Sequence, residues 1–314
     1  MKRVVLTTVF AFFAFLAGAQ ESQTAFNFLR LPVSAHVAAL GGENITIAEN
    51  DATLLFHNPA LITGVSDRSA NLNFMTYMEG AVTASASFTR TVGERGSWAA
   101  AAQYMSYGSM RETTADNQQS GEFSAKDIAI SGAYAYVLAN RLTGGITAKL
   151  LTSYIGQYNS LAAAVDLGLN YYDEEHEWSV SAVARNLGGQ LTAYEDDFER
   201  LPLDLQVGVS KRLIGSPLRL SLSLIRLNDW EYGFGRHIVV GADLLLSPQF
   251  YLAAGYNPLR ASEMKIAEDD GESAHGAGLS LGAGLQLERF KLHVAYSKLH
   301  VSASSLIINV TYSL

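Results

Sequence analysis

Cysteine is absent from the 314 residues. That excludes a disulfide framework, any thiolate metal site and an acylated lipoprotein anchor. Long apolar runs are missing beyond the N-terminus, so helical membrane spans of about 20 apolar residues are not expected. Catalytic signatures are missing too. The seven histidines form no HExxH pair and no standard zinc spacing, and there is neither a GxSxG elbow nor a glycine-rich nucleotide loop. Basic charge is in deficit: 22 Lys and Arg against 30 Asp and Glu give a formal net charge of −8. Nonspecific nucleic-acid binding is therefore disfavoured. No enzymatic activity, cofactor or metal is expected.

What the sequence does have begins with a leader. Lys2 and Arg3 precede an apolar core over residues 4–16, followed by the small-residue stretch Ala17-Gly18-Ala19. This is the pattern of a secretion signal. Residues 1–19 are expected to be removed, leaving Gln20 first; an uncleaved anchor is the competing reading.

The dominant feature is period-two alternation. Across residues 276–288, Ala277, Leu279, Leu281, Ala283, Leu285 and Leu287 fall on one face. Gly278, Ser280, Gly282, Gly284, Gln286 and Glu288 fall on the other. Successive strand side chains take opposite faces, so one face is greasy and the other small and polar. Runs of this length suit tilted membrane-spanning strands of about 9–11 residues. Between residues 69 and 314 the pattern repeats in about fourteen strands, an even number as single-chain bacterial barrels require. The fold expected is an all-β transmembrane antiparallel β-barrel spanning residues 67–314, in the cell outer membrane. With both termini periplasmic, the links at 108–124, 188–202, 228–235 and 258–275 read as long outer loops, and the alternate links are short. Many tyrosines near strand ends fit the headgroup level.

Residues 20–66 differ. Alternation is weak, and Pro32, Gly41-Gly42, Asn58-Pro59 and Gly64 break the segment into short pieces. It is too apolar for a free tail. A barrel of fourteen strands is too wide for its own side chains to fill, so the segment is expected to plug the lumen. Residues 34–40 and 51–55 could form short helical turns, the second capped by Asn50 or Asp51. His57-Asn58-Pro59-Ala60 reads either as a rigid corner or as one that seats the plug. Arg111, Glu112, Tyr194, Phe198, Trp230, Tyr232 and Met264 fall in the outer loops. Arg and aromatic side chains often dominate binding interfaces, and ordinary loop filling is the plain alternative.

The stretch Phe28-Leu29-Arg30-Leu31-Pro32-Val33-Ser34-Ala35-His36-Val37-Ala38-Ala39-Leu40-Gly41-Gly42 resembles the start of mature type IX secretion barrels of Bacteroidota. Asp51 through Asn58-Pro59-Ala60-Leu61 is similar to the Asn-Pro-Ala element of the wider FadL-like family. The resemblance covers about residues 28–61, and its motif positions include Leu31, Pro32, Ser34, Ala35, Gly41, Gly42, Asn58 and Pro59. It implies a non-enzymatic anchor in the type IX attachment complex. Such an anchor would hold a PorZ-like surface protein and outer-membrane lipid or lipopolysaccharide, with PorU and PorV in the same complex. The wider family implies instead a transporter of hydrophobic small molecules, which would need a gapped or mobile plug and a greasy cavity.

Overall fold

The structure is a computed structural model that describes residues 24–113, 119–230, 233–264, 266–268, 271–273, 276–300 and 303–314. The expected signal at 1–19, and Tyr232, lie outside the described residues.

Fourteen strands close into one antiparallel cylinder. They are β1 (Ser69–Thr76), β2 (Val82–Val92), β3 (Gly96–Thr113), β4 (Gln119–Ala139), β5 (Leu142–Ile155), β6 (Tyr158–Asp173), β7 (Trp178–Thr192), β8 (Asp204–Arg212), β9 (Leu218–Leu224), β10 (Ile238–Leu245), β11 (Phe250–Tyr256), β14 (Leu279–Gln286), β15 (Phe290–Ser297) and β16 (Ser305–Ser313). Two short strands, β12 (Ile266–Glu268) and β13 (Gly271–Ser273), pair separately in the link after β11. Each barrel strand pairs with its sequence neighbour in the wall, and β1 meets β16 from Ser69↔Ser313 to Met75↔Ile307. Closure removes both sheet edges, the condition for a sheet to sit in lipid with its backbone groups satisfied.

Alternation sorts the two faces as the sequence requires. In β14 the side chains of Leu279, Leu281 and Leu285 are exposed, whereas Ser280 is buried between them. In β9, Leu218, Leu220 and Leu222 face out and Ser221 and Ser223 face in. The outward face also carries Leu72, Phe74, Ile130, Leu150, Leu167 and Leu252. Such a surface would aggregate in water and is at home in hydrocarbon. No helix among the described residues is long and apolar enough to cross a membrane; the strands do the crossing.

Two expectations need correcting. The link at 108–124 is largely strand: β3 runs to Thr113 and β4 starts at Gln119, with Ser109↔Ser124 and Arg111↔Glu122 in register. Gly108 at φ +77° absorbs a register shift there, so the ladder continues past what reads as a loop start. The link at 258–275 is likewise structured, holding α2 (Pro258–Glu263) and the β12–β13 hairpin. The two ends of the described chain also lie at opposite mouths. Leu314 bonds the Arg68 carbonyl at the short-turn end. Thr24 bridges Arg200 in the long link between β7 and β8.

From Thr24 the chain runs against the inner face of the wall. A 3₁₀ turn (Asn27–Arg30) precedes α1 (Ala35–Ala39), and two more turns follow at Ala52–Phe56 and Pro59–Gly64. Ile45, Ile47, Leu54, Leu55 and Ile62 are all 1% exposed or less. Each such side chain contributes about 1.5–3 kcal/mol when fully buried. Residues of α1 pack with Ala253, Ala295 and Ile307 on one side of the cylinder. Phe26, Phe28 and Leu29 pack with Met105, Ala129 and Leu151 on the other. The inward face is small because it receives this segment.

An arginine at an outward position isolates that placement from local structure. Leu281→Arg should lower the unfolding free energy in lipid vesicles by about 2–4 kcal/mol, the cost near the bilayer midplane. Equilibrium denaturant titration measures it; a loss under about 0.5 kcal/mol would mean Leu281 does not face lipid.

Candidate functional site

The candidate site is the interior, where residues 24–66 meet the wall. Asn58 is an N-cap: its Oδ1 accepts from the Ala60 amide at 3.0 Å, and its Nδ2 donates to the Ile45 carbonyl at 3.0 Å. Pro59 at the next position has no N–H to leave unsatisfied. The corner lies directly on two wall glycines. A Cβ on Gly168 would fall 2.2 Å from Asn58 Oδ1, and one on Gly145 2.4 Å from the Pro59 carbonyl carbon. Both are closer than a real Cβ comes to its neighbours, so a larger residue at either position would displace the turn, and β5 and β6 are shaped to receive it.

The other motif end is held in the same manner. Ser34 caps α1, accepting from the Val37 amide at 3.3 Å, and the Ala35 amide donates to the Asn309 side chain of β16. Asn309 also donates to the Val33 carbonyl at 3.0 Å. Gly41 (φ +95°) and Gly42 (φ +88°) end the helix in the left-handed region. The Gly41 amide donates to Ser280 Oγ of β14 at 3.0 Å. The sequence motif positions are therefore brought together as contacts between segment and wall. Leu31 is partly buried against the apolar clusters, and Pro32 is buried.

A buried ion network that sequence reading missed lies between these anchor points. His36 Nε2 sits 2.7 Å from Asp243 Oδ1, and His36 Nδ1 lies 3.4 Å from Glu49 Oε2. Arg219 closes the square, donating through Nε to Asp243 Oδ2 at 2.7 Å and through Nη1 to Glu49 Oε1 at 2.6 Å. His36 stacks on Tyr251 at 4.0 Å, and Tyr251 is hydrogen-bonded to His293 at 2.7 Å. Burial alone would push His36 toward neutrality, but the Asp243 and Glu49 carboxylates outweigh it and raise its pKa to about 9. For Glu49, burial works against the charge, yet Arg219 and His36 hold it well below the usual carboxylate range. Inward polar alternation in β9 was legible. The convergence of Arg219 and Asp243 on residues of a different segment was not, because no local period encodes it.

A second network ties the other side. Lys149 Nζ meets Asp166 Oδ2 at 2.6 Å, and Arg185 contacts Glu43 at 3.5 Å while donating to the Leu29 carbonyl at 3.0 Å. Burial first, then Arg185 and Lys149, keep His57 well below the ordinary histidine value. The neutral ring accepts from the Ser34 amide at 3.3 Å.

The outer-loop candidates do not act alike. Arg111 and Glu112 lie on the extended β3–β4 ribbon. Phe198 (66% exposed) and Trp230 (58%) stand out from two other links. Tyr194 turns inward against the Phe26–Met105 cluster, and Met264 lines a cavity at the same mouth. At the opposite mouth Asp173, Glu175 and His176 come close enough to hold a metal. Arg141 already pairs with both carboxylates there, at 2.7 and 3.0 Å.

No family model matches the chain, and no curated protein matches it. Solved structures do. The chain superposes on a FadL homologue of Pseudomonas aeruginosa with a TM-score of 0.59 and 11% identity, over 90% of this chain and 99% of that one. It superposes on the toluene transporter TodX of Pseudomonas putida with a TM-score of 0.57 and 12% identity, over 90% and 97%. The fold and its lipid-facing band define an outer-membrane β-barrel. Within that class, the architecture is FadL-like.

The His36 cluster has a pH signature. A histidine whose pKa rises on folding stabilises the native state fully below about pH 6.5, and that contribution fades as pH climbs through about 9. Denaturant midpoints should therefore fall between pH 6.5 and 9, by up to about 3 kcal/mol in unfolding free energy. In His36→Gln the fall should be largely gone. An equal slope in both proteins would show that His36 is not charged in the fold.

Proposed function

We propose that this barrel is a passage for small, largely apolar molecules across the outer membrane, closed by residues 24–66 in the form described. The observation that carries this reading is the superposition, along nearly the whole chain, on a FadL homologue and on a toluene transporter. One feature agrees with it: an apolar cluster in which Phe28 of the segment packs with Met105 and Leu151 of the wall, beside the charged Lys149 and Asp166 of β5 and β6. Passage requires the segment to yield, because glycine seats and two ion networks hold it to both sides of the wall.

A second reading is favoured by that same firmness. A segment held to the wall at glycine seats and by buried ion pairs suits a fixed platform. This is the non-enzymatic anchor implied by the motif over residues 28–61, most like PorQ, with a PorZ-like protein held by outward loops such as those of Phe198 and Trp230. Its support is the sequence resemblance and the firm seating of the segment on the wall; neither solved neighbour is named as a secretion component.

One reconstitution separates them. Proteoliposomes carrying the purified full chain should take up toluene or a similar small apolar solute faster than empty liposomes if the barrel is a passage. Unchanged uptake, combined with recovery of a large surface protein in fixed ratio from mild-detergent extracts, would replace transport with anchoring.

A further inference from the structure

The mouth cavity holds a guanidinium, that of Arg260, with no contact ion pair among the described residues. Arg260 sits on α2, whose cap Asn257 accepts its amide at 3.1 Å. The guanidinium lies flat on the Gly41-Gly42 turn: a Cβ on Gly42 would come within 2.9 Å of Nη1. Among the described residues its one side-chain hydrogen bond is long, from Nη1 to the Gly41 carbonyl at 3.4 Å. Among the described residues no carboxylate comes within 4.0 Å of it, and Nε and Nη2 have no protein partner yet are not sealed from the cavity that Arg260 lines.

The acids that share the lining are already engaged. Glu263 accepts from Arg226 at 2.8 Å. Asp204 accepts from the Arg226 amide at 2.8 Å and from Gln206 at 2.7 Å. Glu43 accepts from Gln206 at 3.0 Å and faces Arg185 at 3.5 Å. Arg30 and Arg226 border the same space. Burial lowers the pKa of Arg260, and the Glu43 and Glu263 carboxylates, beyond ion-pair contact, only partly offset it.

We propose that this cavity binds a phosphate group, seated on the free edge of the Arg260 guanidinium. A guanidinium edge offers parallel N–H donors that match an oxyanion bidentately. The lining carries Arg30, Arg226 and Arg260 with Glu43, Asp204 and Glu263, so the open guanidinium edge, and not net charge, is what seats the anion. At about 260 Å³ the space takes a headgroup-sized ligand. The group could come as free phosphate or as the headgroup of an anionic lipid reaching the mouth.

Calorimetric titration of the full chain in a neutral maltoside detergent tests this, using inorganic phosphate, dihexanoyl phosphatidate, dihexanoyl phosphatidylcholine and benzoate. Saturable binding of phosphate identifies a free ion as sufficient. Binding of phosphatidate alone identifies the lipid headgroup. In either case Arg260→Ala should weaken binding about tenfold or more, the loss of a charged hydrogen-bond pair. Met264→Trp, which keeps Arg260 but fills the cavity, should weaken it as well, with folding of both variants checked by heat-dependent gel mobility. The assignment is overturned if neither phosphate ligand binds, if both folded variants bind like the parent, or if benzoate or phosphatidylcholine binds more tightly than both phosphate ligands.

Discussion

The constraint on which this structure depends is the inner face of a closed wall. Fourteen strands enclose more volume than their own inward side chains can fill. The chain meets that constraint by making those side chains small and laying residues 24–66 against them. Contact is backbone to backbone in places: a Cβ on Gly255 would lie 2.2 Å from the Leu40 carbonyl carbon, as close as the approach of Asn58 to Gly168. Wall and segment are thus one packing problem. Removing Cβ atoms from the wall lets helix ends and turns of the segment approach it, and the polar groups on those ends find Ser280, Asn309 and their neighbours as partners.

Charge placement follows from the same enclosure. Ions shut away from water are costly unless paired and hydrogen-bonded. The interior answers with one closed set, His36 and Arg219 against Asp243 and Glu49, and with two separate pairs, Lys149–Asp166 and Arg185–Glu43. The closed set and the Arg185–Glu43 pair join segment to wall, whereas Lys149–Asp166 lies within the wall. Detaching the segment would strand charges on both sides, at a cost of about 3–5 kcal/mol for each broken buried pair. The ion sets therefore act as latches. A passage needs them to open during transport; a platform is better served the more firmly they hold. That shared physical fact is why the two functional readings differ in motion and not in static architecture.

Much of this was legible in the sequence. Alternation around Leu279, Leu281 and Leu285 gave strand, facing and membrane together, because a period of two is set by backbone geometry. Asp51 announced a helix-turn start through local capping chemistry and caps as expected; Ser34 and Asn58 cap their turns as well, although the sequence showed only a possible helical turn at the first and a corner at the second. The site was legible only as motif. That Gly145 and Gly168 exist for the Asn58–Pro59 corner cannot be read locally, since more than eighty residues separate them. The same holds for His36 with Asp243, and for Arg260 over Gly42. The β3–β4 ribbon reads as loop because Gly108, Gly121 and several polar residues carry turn chemistry, while ladder pairing between two long strands overrides them.

The central claim, that residues 24–66 lie seated on the inner wall, is tested most directly by a cross-link across that contact. A Cβ on Gly208 would lie 2.8 Å from Thr46 Cγ2, and the chain has no cysteine of its own to interfere. Thr46→Cys combined with Gly208→Cys should form a disulfide in the membrane-embedded protein, seen as a reducible gel shift. Thr46→Cys with the outward Val207→Cys should not. Failure of the first pair to link, with the thiol introduced by Thr46→Cys open to a membrane-impermeant maleimide, would contradict that seating.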